Sequence, residues 1–340
     1  MMQPIKTIAL SFAAVLLAGQ AFAGATLDGI KANDSLRCGV SGSLAGFSLP
    51  DSQGVMQGLD ADVCRAVAAA ILGDSEKVEF VPLSAQQRFT ALQSGEVDLL
   101  SRNTTWTLTR DTSLGLDFTG VTFYDGQGFM VPTSLGVSSV SELDGAAVCV
   151  QTGTTTEKNL TDFFRATGMS FQPVVFEGFE ESVTAFINGR CDAYTTDASG
   201  LASIRVSNVS NPDDYVILPE IISKEPLGPV VRNDDGEMFD VVRWTVFAML
   251  NAEEAGITSE NIDSFKGSED PNIARIMGDE PGMGTAMGID DTWAYNVISQ
   301  VGNYGEVFER NVGASTPLGF QRGINALWTQ GGLMYGPPIR

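Results

Sequence analysis

The residues best suited to chemistry are polar side chains at the ends of two similar stretches of this chain. The stretches, 91–103 and 185–197, share an alanine, a glycine and an aspartate at matched positions. Each is typical of a helix end, a tight turn at the glycine and a short strand that ends in polar residues. If the chain has built one unit twice, the strand ends deliver polar groups around Asn103 and Asp197 to a shared place. The alternative is a chance similarity.

The elements that position these groups alternate between strand and helix. Strand patterns at 36–40, 78–81 and 97–101 flank helical patterns at 60–72 and 84–93, and the alternation returns between 146 and 197. This order predicts an α/β fold with mostly parallel sheets, whose ligands lie beyond the carboxyl ends of the strands.

Two apolar segments, 128–131 and 227–231, are interpreted as crossings between two lobes. The predicted division is a first lobe built from 24–130 and 230–340, the latter with a C-terminal extension, and a second lobe at 131–229. A chain that leaves one lobe, builds another and returns makes a hinged clamshell with two crossover strands. The cleft of such a clamshell is a favoured ligand site.

The first 23 residues have the pattern of a signal peptide. Lys6 supplies a basic start, the apolar run 8–18 is too short to span a bilayer, and Ala-Phe-Ala at 21–23 fits the small-x-small cleavage rule. We therefore expect an exported mature chain that begins at Gly24. The alternative is an uncleaved membrane anchor.

Composition disfavours several classes of partner and chemistry. The chain has 42 acidic and 20 basic residues, for a net charge of −22, which disfavours nucleic acid and anionic membrane surfaces. It has no histidine, which excludes Ser-His-Asp and Cys-His catalytic groups and most zinc sites. No acidic cluster has calcium-loop spacing. We expect neither a metal nor a cofactor.

Four cysteines in an exported chain predict two disulfides, with three possible pairings. We favour Cys38–Cys64 and Cys149–Cys191, because each pair then lies within one proposed lobe. Free buried thiols are the alternative.

Several motifs resemble those of a known family. They are Gly58-Leu-Asp60-Ala-Asp62, Thr105-Trp-Thr-Leu-Thr-Arg110 and the longer runs 84–92, 224–232 and 326–335. Together they resemble the periplasmic solute-binding proteins of amino-acid ABC transporters, in the general L-amino-acid subgroup of broad specificity, over essentially the whole mature chain. The resemblance implies a two-lobe periplasmic-binding-protein clamshell, a monomer in the periplasm, an L-amino acid ligand, a membrane permease as partner and no enzymatic activity.

The resemblance also implies roles for four residues near the two strand ends. Arg110 matches the arginine that clamps the ligand α-carboxylate, and Asp197 matches the acid that takes the α-ammonium. Thr105 matches a hydroxyl that binds either group, and Asn103 a neighbouring backbone contact. From the residues alone, Arg110 can equally be a surface arginine and Asp197 a helix N-cap; Thr105 can be a sheet-edge threonine and Asn103 a turn residue.

The second lobe supplies a further matching loop, 151–155. The resemblance implies that helix N-terminal amides here face the carboxylate, with Thr154 as cap and Thr155 as contact. Gln151 stands where the family often has a basic residue, and the aromatic residues that the family often places near Leu44 and Ala85 are absent. The nearby candidates for side-chain contacts, each with a structural role as the alternative, are Gln86, Gln87, Arg88, Arg102 and Trp106. A capping box without a ligand is the alternative.

Two other functions fit the same scaffold. One is a dehydratase of carboxylated cyclohexadienes, which needs an acid over the ligand ring; Glu177, Glu180 and Glu181 are the nearest in sequence. The other is a ligand-sensing module that reports to a receptor, which the sequence does not separate from transport.

Overall fold

The computed structural model describes residues 24–340, and the predicted signal peptide lies outside the described residues. Within 24–340, no helix combines the length and the hydropathy needed to cross a bilayer. The strands are β1 Leu36–Val40, β2 Leu49–Pro50, β3 Met56–Gln57, β4 Val78–Pro82, β5 Leu99–Leu100, β6 Leu116–Phe118, β7 Phe123–Asp125, β8 Gln127–Pro132, β9 Ala147–Gln151, β10 Gln172–Phe176, β11 Ala193–Asp197, β12 Tyr215–Ile217, β13 Glu225–Leu227 and β14 Val230–Arg232. The α-helices are α1 Ala25–Asn33, α2 Leu59–Leu72, α3 Arg88–Gln93, α4 Leu108–Ser113, α5 Thr155–Thr167, α6 Phe179–Ile187, α7 Ala198–Ser207, α8 Gly236–Glu254, α9 Pro271–Met277, α10 Met283–Ala286, α11 Trp293–Gln300 and α12 Tyr304–Asn311.

Two mixed sheets form the centres of two lobes, which confirms the predicted α/β clamshell. The first sheet has the order β4-β1-β5-β14-β6, and the second has the order β10-β9-β11-β8-β12. In each, the first three strands are parallel, and the next strand along the sheet is antiparallel to them. We call the lobe with the first sheet the first lobe, and the lobe with the second sheet the second lobe.

The two similar stretches occupy equivalent positions in the two sheets. The strands that they contain, β5 and β11, each lie between a parallel strand, β1 or β9, and the antiparallel strand, β14 or β8. Gly95 and Gly189 both adopt positive φ, 76° and 75°, where a side chain would be strained. The matching positions of the two glycines therefore reflect the same type of turn, which occurs once in each lobe.

The matched aspartates explain why this short pattern occurs twice. Asp98 accepts a hydrogen bond from the backbone N–H of Arg37 in β1 at 3.0 Å. Asp192 accepts one from the backbone N–H of Ala147 in β9 at 2.8 Å. Each carboxylate thus ties the turn before its strand to the start of the neighbouring strand, which fixes where the polar strand end emerges.

The crossings between lobes lie slightly earlier in the chain than predicted. Segment 128–131 belongs to β8, whose residues Phe129, Met130 and Val131 have no exposed surface because both faces of the strand are covered within the second lobe. The chain crosses instead at β7 and returns at β13, and these two strands pair with each other. The predicted bounds placed residues 127–130 in the first lobe; their apolarity comes from sheet burial, not from a crossing. The division into two domains stays a prediction.

The C-terminal segment packs on the first lobe. Residues of α8, α11 and α12 share one hydrophobic core with α2 and β1, and this core extends to Ile339. Asp62 of α2 joins the two parts, since it accepts hydrogen bonds from Arg310 at 2.9 Å and Asn311 at 2.6 Å. The first lobe is therefore built from both ends of the described chain.

The motif 58–62 also supports the loop that leaves β5. Gly58 has φ 128°, and a side chain there would collide with the backbone of Phe47. Helix α2 starts directly after it, so Asp60 lies at the first turn, where its carboxylate accepts hydrogen bonds from the Asn103 backbone N–H at 2.6 Å and the Ser101 hydroxyl at 3.3 Å. Asp60 thereby holds Asn103 in the left-handed region, at φ 34°.

Both predicted disulfides are confirmed. Cys38 of β1 is bonded to Cys64 of α2, and Cys149 of β9 is bonded to Cys191 just before β11. Each bond ties a helix or a turn to a parallel strand of its own lobe, β1 or β9, so neither restrains the lobes relative to each other.

Removal of one disulfide should destabilise the protein without loss of the fold. The Cys38–Cys64 bond closes a loop of 26 residues, and loop entropy predicts a loss of about 3–4 kcal/mol from the free energy of unfolding in the Cys38→Ala/Cys64→Ala variant. Urea unfolding, followed by tryptophan fluorescence, measures this change. A loss below about 1 kcal/mol would contradict the prediction. The exposed Ser134→Ala is the control.

Asp60 should make stability fall as pH rises. Burial raises the pKa of Asp60 to about 6, so the folded state binds its proton more tightly than the unfolded state does. Stability from this group is full below about pH 4 and is lost as pH rises through 6, a difference of about 3 kcal/mol. Urea unfolding of ligand-free protein between pH 4 and 7 should therefore show a flatter pH dependence for Asp60→Asn than for wild type. Parallel curves for the two proteins would contradict this, and Glu76→Gln, at an exposed site, should follow wild type.

Candidate functional site

A polar cavity lies between the lobes, at the carboxyl ends of their central strands. The first lobe contributes the loop after β1, the start of α3 and the loop after β5; the second contributes the ends of β9 and β11 and the starts of α5, α6 and α7. Its wall consists of Ser41, Leu44, Arg88, Arg102, Asn103, Thr105, Gln151, Thr154, Thr155, Thr156, Phe179, Thr196, Asp197 and Gly200. Six of the seven predicted site residues thus line one cavity, although their roles toward a ligand stay predictions.

The seventh predicted residue, Arg110, lies directly behind that wall. It is 8% exposed, and its Nη1 donates a hydrogen bond to the Thr105 carbonyl at 2.9 Å. Its guanidinium stacks over Phe89, 5.2 Å from the ring centroid. Burial lowers the pKa of Arg110, and the nearby charges of Glu225 and Asp197 oppose that shift. The alternative of a surface arginine is therefore wrong.

Arg88 lies outside the seven predicted residues, but it is one of the nearby candidates that the sequence offers for side-chain contacts. It lines the cavity, is 3% exposed, and has an Nε that is buried without a hydrogen-bond partner among the described residues. Burial holds the pKa of Arg88 well below its usual value, and the cations Arg110 and Arg102 lower it further. A buried guanidinium with unused donors is suited to an anion. The sequence signal was only its place in the middle of the 84–92 run, since its proximity to the other arginines depends on the fold.

Asp197 supplies negative charge to the same cavity. It occupies the N-cap position of α7, but its side chain makes no capping hydrogen bond, so the helix-cap alternative does not account for it. Burial raises the pKa of Asp197 well above its usual value, and Asp125 and Glu225 add to the shift, while Arg88 and Arg110 oppose it. This shift favours the neutral form of the 6% exposed carboxyl, and a cation beside it would stabilise the charged form.

The loop after β5 presents further acceptors. Asn103 Oδ1 is buried without a partner among the described residues, while its backbone N–H is bound by Asp60. Thr105 Oγ1 donates to Glu225 Oε2 at 2.6 Å. Oxygen atoms from both residues can thus accept hydrogen bonds from a ligand.

The second-lobe loop has the predicted cap. Thr154 is the N-cap of α5, and its hydroxyl accepts a hydrogen bond from the Glu157 N–H at 3.1 Å. Thr155 and Thr156 begin the helix, where backbone N–H groups lack partners in their own helix and favour negative charge. Gln151 uses its side-chain amide to donate to the Glu177 carbonyl at 2.9 Å, so this side chain braces the second lobe.

The predicted residues did not include two acids on the crossover strands, the buried Glu225 and the partly buried Asp125. Asp125 and Glu225 lie opposite each other in the β7–β13 pair. Burial raises the pKa of Asp125 to about 6, and the Glu225 charge contributes to that shift. Sequence patterns offered only the 224–232 run, because short crossover strands carry no periodicity that marks a buried carboxylate.

The acids suggested for a dehydratase lie elsewhere. Glu177, Glu180 and Glu181 are exposed on the second lobe, and none lines this cavity. Glu180 lines only the open groove beside it, which shares Ser41, Arg102, Gln151 and Phe179 with the cavity. The acidic groups near the cavity are instead those of the crossover strands and Asp197.

The chain matches a described protein family and several named relatives. Residues 36–258 match the model of the bacterial extracellular solute-binding proteins, family 3. The general L-amino acid-binding periplasmic protein AapJ of Rhizobium johnstonii is 55% identical over 96% of this chain and 97% of its own length. The glutamate/glutamine/aspartate/asparagine-binding protein BztA of Rhodobacter capsulatus is 58% identical over 96% of each.

A solved structure agrees over nearly the whole chain. It is an ABC transporter periplasmic binding protein from Brucella ovis with glutathione bound, with 56% sequence identity and a TM-score of 0.90. The match covers 93% of this chain and 99% of that one. With the two-lobe fold and the interlobe cavity, these similarities show that the chain belongs to the bacterial extracellular solute-binding proteins of family 3.

Proposed function

We propose that this protein binds L-amino acids with broad specificity outside the cytoplasm and delivers them to the permease of an ABC transporter. The observation that carries the proposal is the meeting of buried arginines from the first lobe with buried Asp197 from the second at one cavity. An amino acid carries one negative and one positive group on the same carbon, so it can satisfy both. The names of the AapJ and BztA relatives support the same class of ligand.

The α-carboxylate is assigned to the side of the cavity that holds hydrogen-bond donors. Arg110 retains guanidinium N–H groups beyond the one bound to Thr105, and the first amides of α5, at Thr155 and Thr156, add donors from the opposite lobe. The α-ammonium is assigned to Asp197 and to the unpartnered Asn103 Oδ1. A ligand bound this way touches both lobes and stabilises the closed clamshell.

Arg88 adds a preference among side chains. Because Arg110 lies nearer Thr105, the second buried cation is free for an acceptor at the far end of the ligand. This favours acidic and amide side chains, as in the name of BztA, and also agrees with glutathione in the Brucella ovis protein, since glutathione has a free α-amino acid end and a distant carboxylate. Small apolar amino acids would leave Arg88 unpaired.

The protein acts in the periplasm, has a membrane permease as its partner and binds its ligand without catalysis. Export through the 1–23 signal peptide places the protein in the periplasm, where it acts as a monomer and docks on a membrane permease. Transport is preferred to sensing because the Brucella ovis protein is described as an ABC transporter periplasmic binding protein. A dehydratase is disfavoured because Glu177, Glu180 and Glu181 are exposed outside the cavity.

Loss of the Arg110 guanidinium should weaken every amino acid ligand. Arg110→Ala removes a charged hydrogen-bond donor and should cost about 1.5–3 kcal/mol of binding free energy, or roughly 10- to 150-fold in Kd. Isothermal titration calorimetry with L-glutamate and L-alanine measures both ligands. Arg165→Ala, which removes an exposed arginine of the second lobe, should bind like wild type. An unchanged affinity in Arg110→Ala, or no binding of any L-amino acid by wild type, would contradict the assignment of Arg110 to the ligand α-carboxylate.

Replacement of Arg88 should change selectivity and raise the stability of the ligand-free protein. Arg88→Met keeps a long side chain but removes a buried charge without a carboxylate partner, so the ligand-free melting temperature should rise. The affinity for L-glutamate should fall at least about tenfold, while that for L-alanine changes less, since only the former reaches Arg88. Calorimetry across acidic, amide and apolar amino acids checks the ratio. Equal losses for all ligands would contradict the role in selectivity.

A further inference from the structure

Glu225 is a buried carboxylate that receives hydrogen bonds from both lobes. It begins β13 in the crossover pair and is 1% exposed. Its Oε2 accepts from the hydroxyls of Thr105 at 2.6 Å and Thr155 at 2.8 Å. Its Oε1 accepts from Asn159 Nδ2 at 2.7 Å and Ser223 Oγ at 2.6 Å. Thr105 belongs to the first lobe and Thr155 to the second, so this carboxylate joins them.

These bonds fix the direction of two protons. A threonine hydroxyl has one hydrogen to donate and lone pairs with which to accept, whereas a carboxylate only accepts. Because Thr105 and Thr155 both give their hydrogen to Glu225, each can offer only lone pairs to the cavity that it lines. Neither hydroxyl can donate to a ligand carboxylate in this arrangement.

The two hydroxyl oxygens then form one acceptor pair. Thr105 Oγ1 and Thr155 Oγ1 lie 3.3 Å apart. The same cavity wall contains the Asp197 carboxylate and the unpartnered Asn103 Oδ1. A group of acceptors without donors calls for a cation with several N–H groups, and a primary ammonium has three such donors.

We propose that Glu225 is a positioning residue that dedicates the hydroxyls of Thr105 and Thr155 to the ligand α-ammonium. The inference rests on the proposed function and deepens it, because it makes the ammonium group a requirement for tight binding. It also narrows the role of Thr105, which the sequence left open between carboxylate and ammonium. Since the hydroxyls come from opposite lobes, the acceptor pair is complete only when the lobes are together.

The substitution Glu225→Gln reverses part of this pattern at nearly constant volume. Because Asn159 Nδ2 donates to the other side of this group, the glutamine oxygen faces Asn159 and its NH2 faces Thr105 and Thr155. Both hydroxyls then accept from the NH2 and can turn their hydrogens elsewhere. The affinity for L-glutamate should then fall at least about tenfold, while that for glutarate, which lacks only the ammonium, should fall less or rise. Competition calorimetry gives both constants and therefore the ratio of the two affinities.

Three variants separate positioning from a general structural role: Asn159→Ala, Thr105→Val, and the double variant Thr105→Val/Glu225→Gln. Asn159→Ala removes a hydrogen bond from the other oxygen of Glu225 and should leave the glutamate-to-glutarate ratio unchanged. Thr105→Val should weaken L-glutamate binding in the wild-type background but much less in Glu225→Gln, because the hydroxyl acts through its orientation.

The outcomes are distinguishable. A reduced ratio in Glu225→Gln together with non-additive losses for Thr105→Val supports the proposal. Equal losses for glutamate and glutarate, or additive losses in the double variant, mean that Glu225 is only a brace and overturn it. Tighter binding of both ligands means that Glu225 competes with the ligand carboxylate, which also overturns it. If wild type binds no amino acid, the proposed function fails; if it binds but the ratio does not change, only the role of Glu225 fails.

Discussion

Charged groups that are removed from water need partners of opposite charge or hydrogen bonds. The space between the lobes holds charges of both signs, and these charges neutralise each other only in part. Arg88, Arg102 and Arg110 approach it from the first lobe, and Asp197 from the second. The Arg88 Nε has no hydrogen-bond partner among the described residues, and burial raises the pKa of Asp197, which favours its neutral form. The unliganded closed form therefore carries an electrostatic cost, which a zwitterion of the right length relieves.

The duplicated unit is what brings opposite charges to one place. In each lobe a glycine turn and a clamped aspartate fix the strand that ends at the cavity, as seen for Asp98 and Asp192. The scaffold is thus the same on both sides, while the residues beyond the strand ends differ. Scaffold and specificity are encoded in adjacent but separate stretches, so ligand preference can change without altered folding of either sheet.

Much of this arrangement could be predicted from the sequence because it is local. The helix, turn and strand around Gly95 and Gly189, the cap at Thr154 and the pairing of cysteines within each lobe all depend on residues close in the chain or on simple alternation. The positions of Arg88 and Glu225 could not be predicted this way. Their burial depends on contacts between elements far apart in sequence, such as Glu225 with Thr105.

The misplaced crossing has a similar physical cause. An apolar run shows only that a segment is buried, and β8 is buried because it lies inside the second sheet. The true connection, β7, is short and ends in Asp125, whose burial arises from pairing with β13. Hydrophobicity therefore located the strand correctly but could not identify which sheet it joins.

The composition of the first lobe from both ends of the chain has a consequence for the order of folding. Strand β14 must pair with β5 and β6, and the helices after it must complete the core around α2. The second lobe, by contrast, takes all strands of its sheet from one continuous segment, β8 to β12. When the chain is presented from its N-terminus, the second lobe has all its strands before the first lobe receives its C-terminal part. We therefore expect the sheet of the second lobe to form before the first lobe is complete.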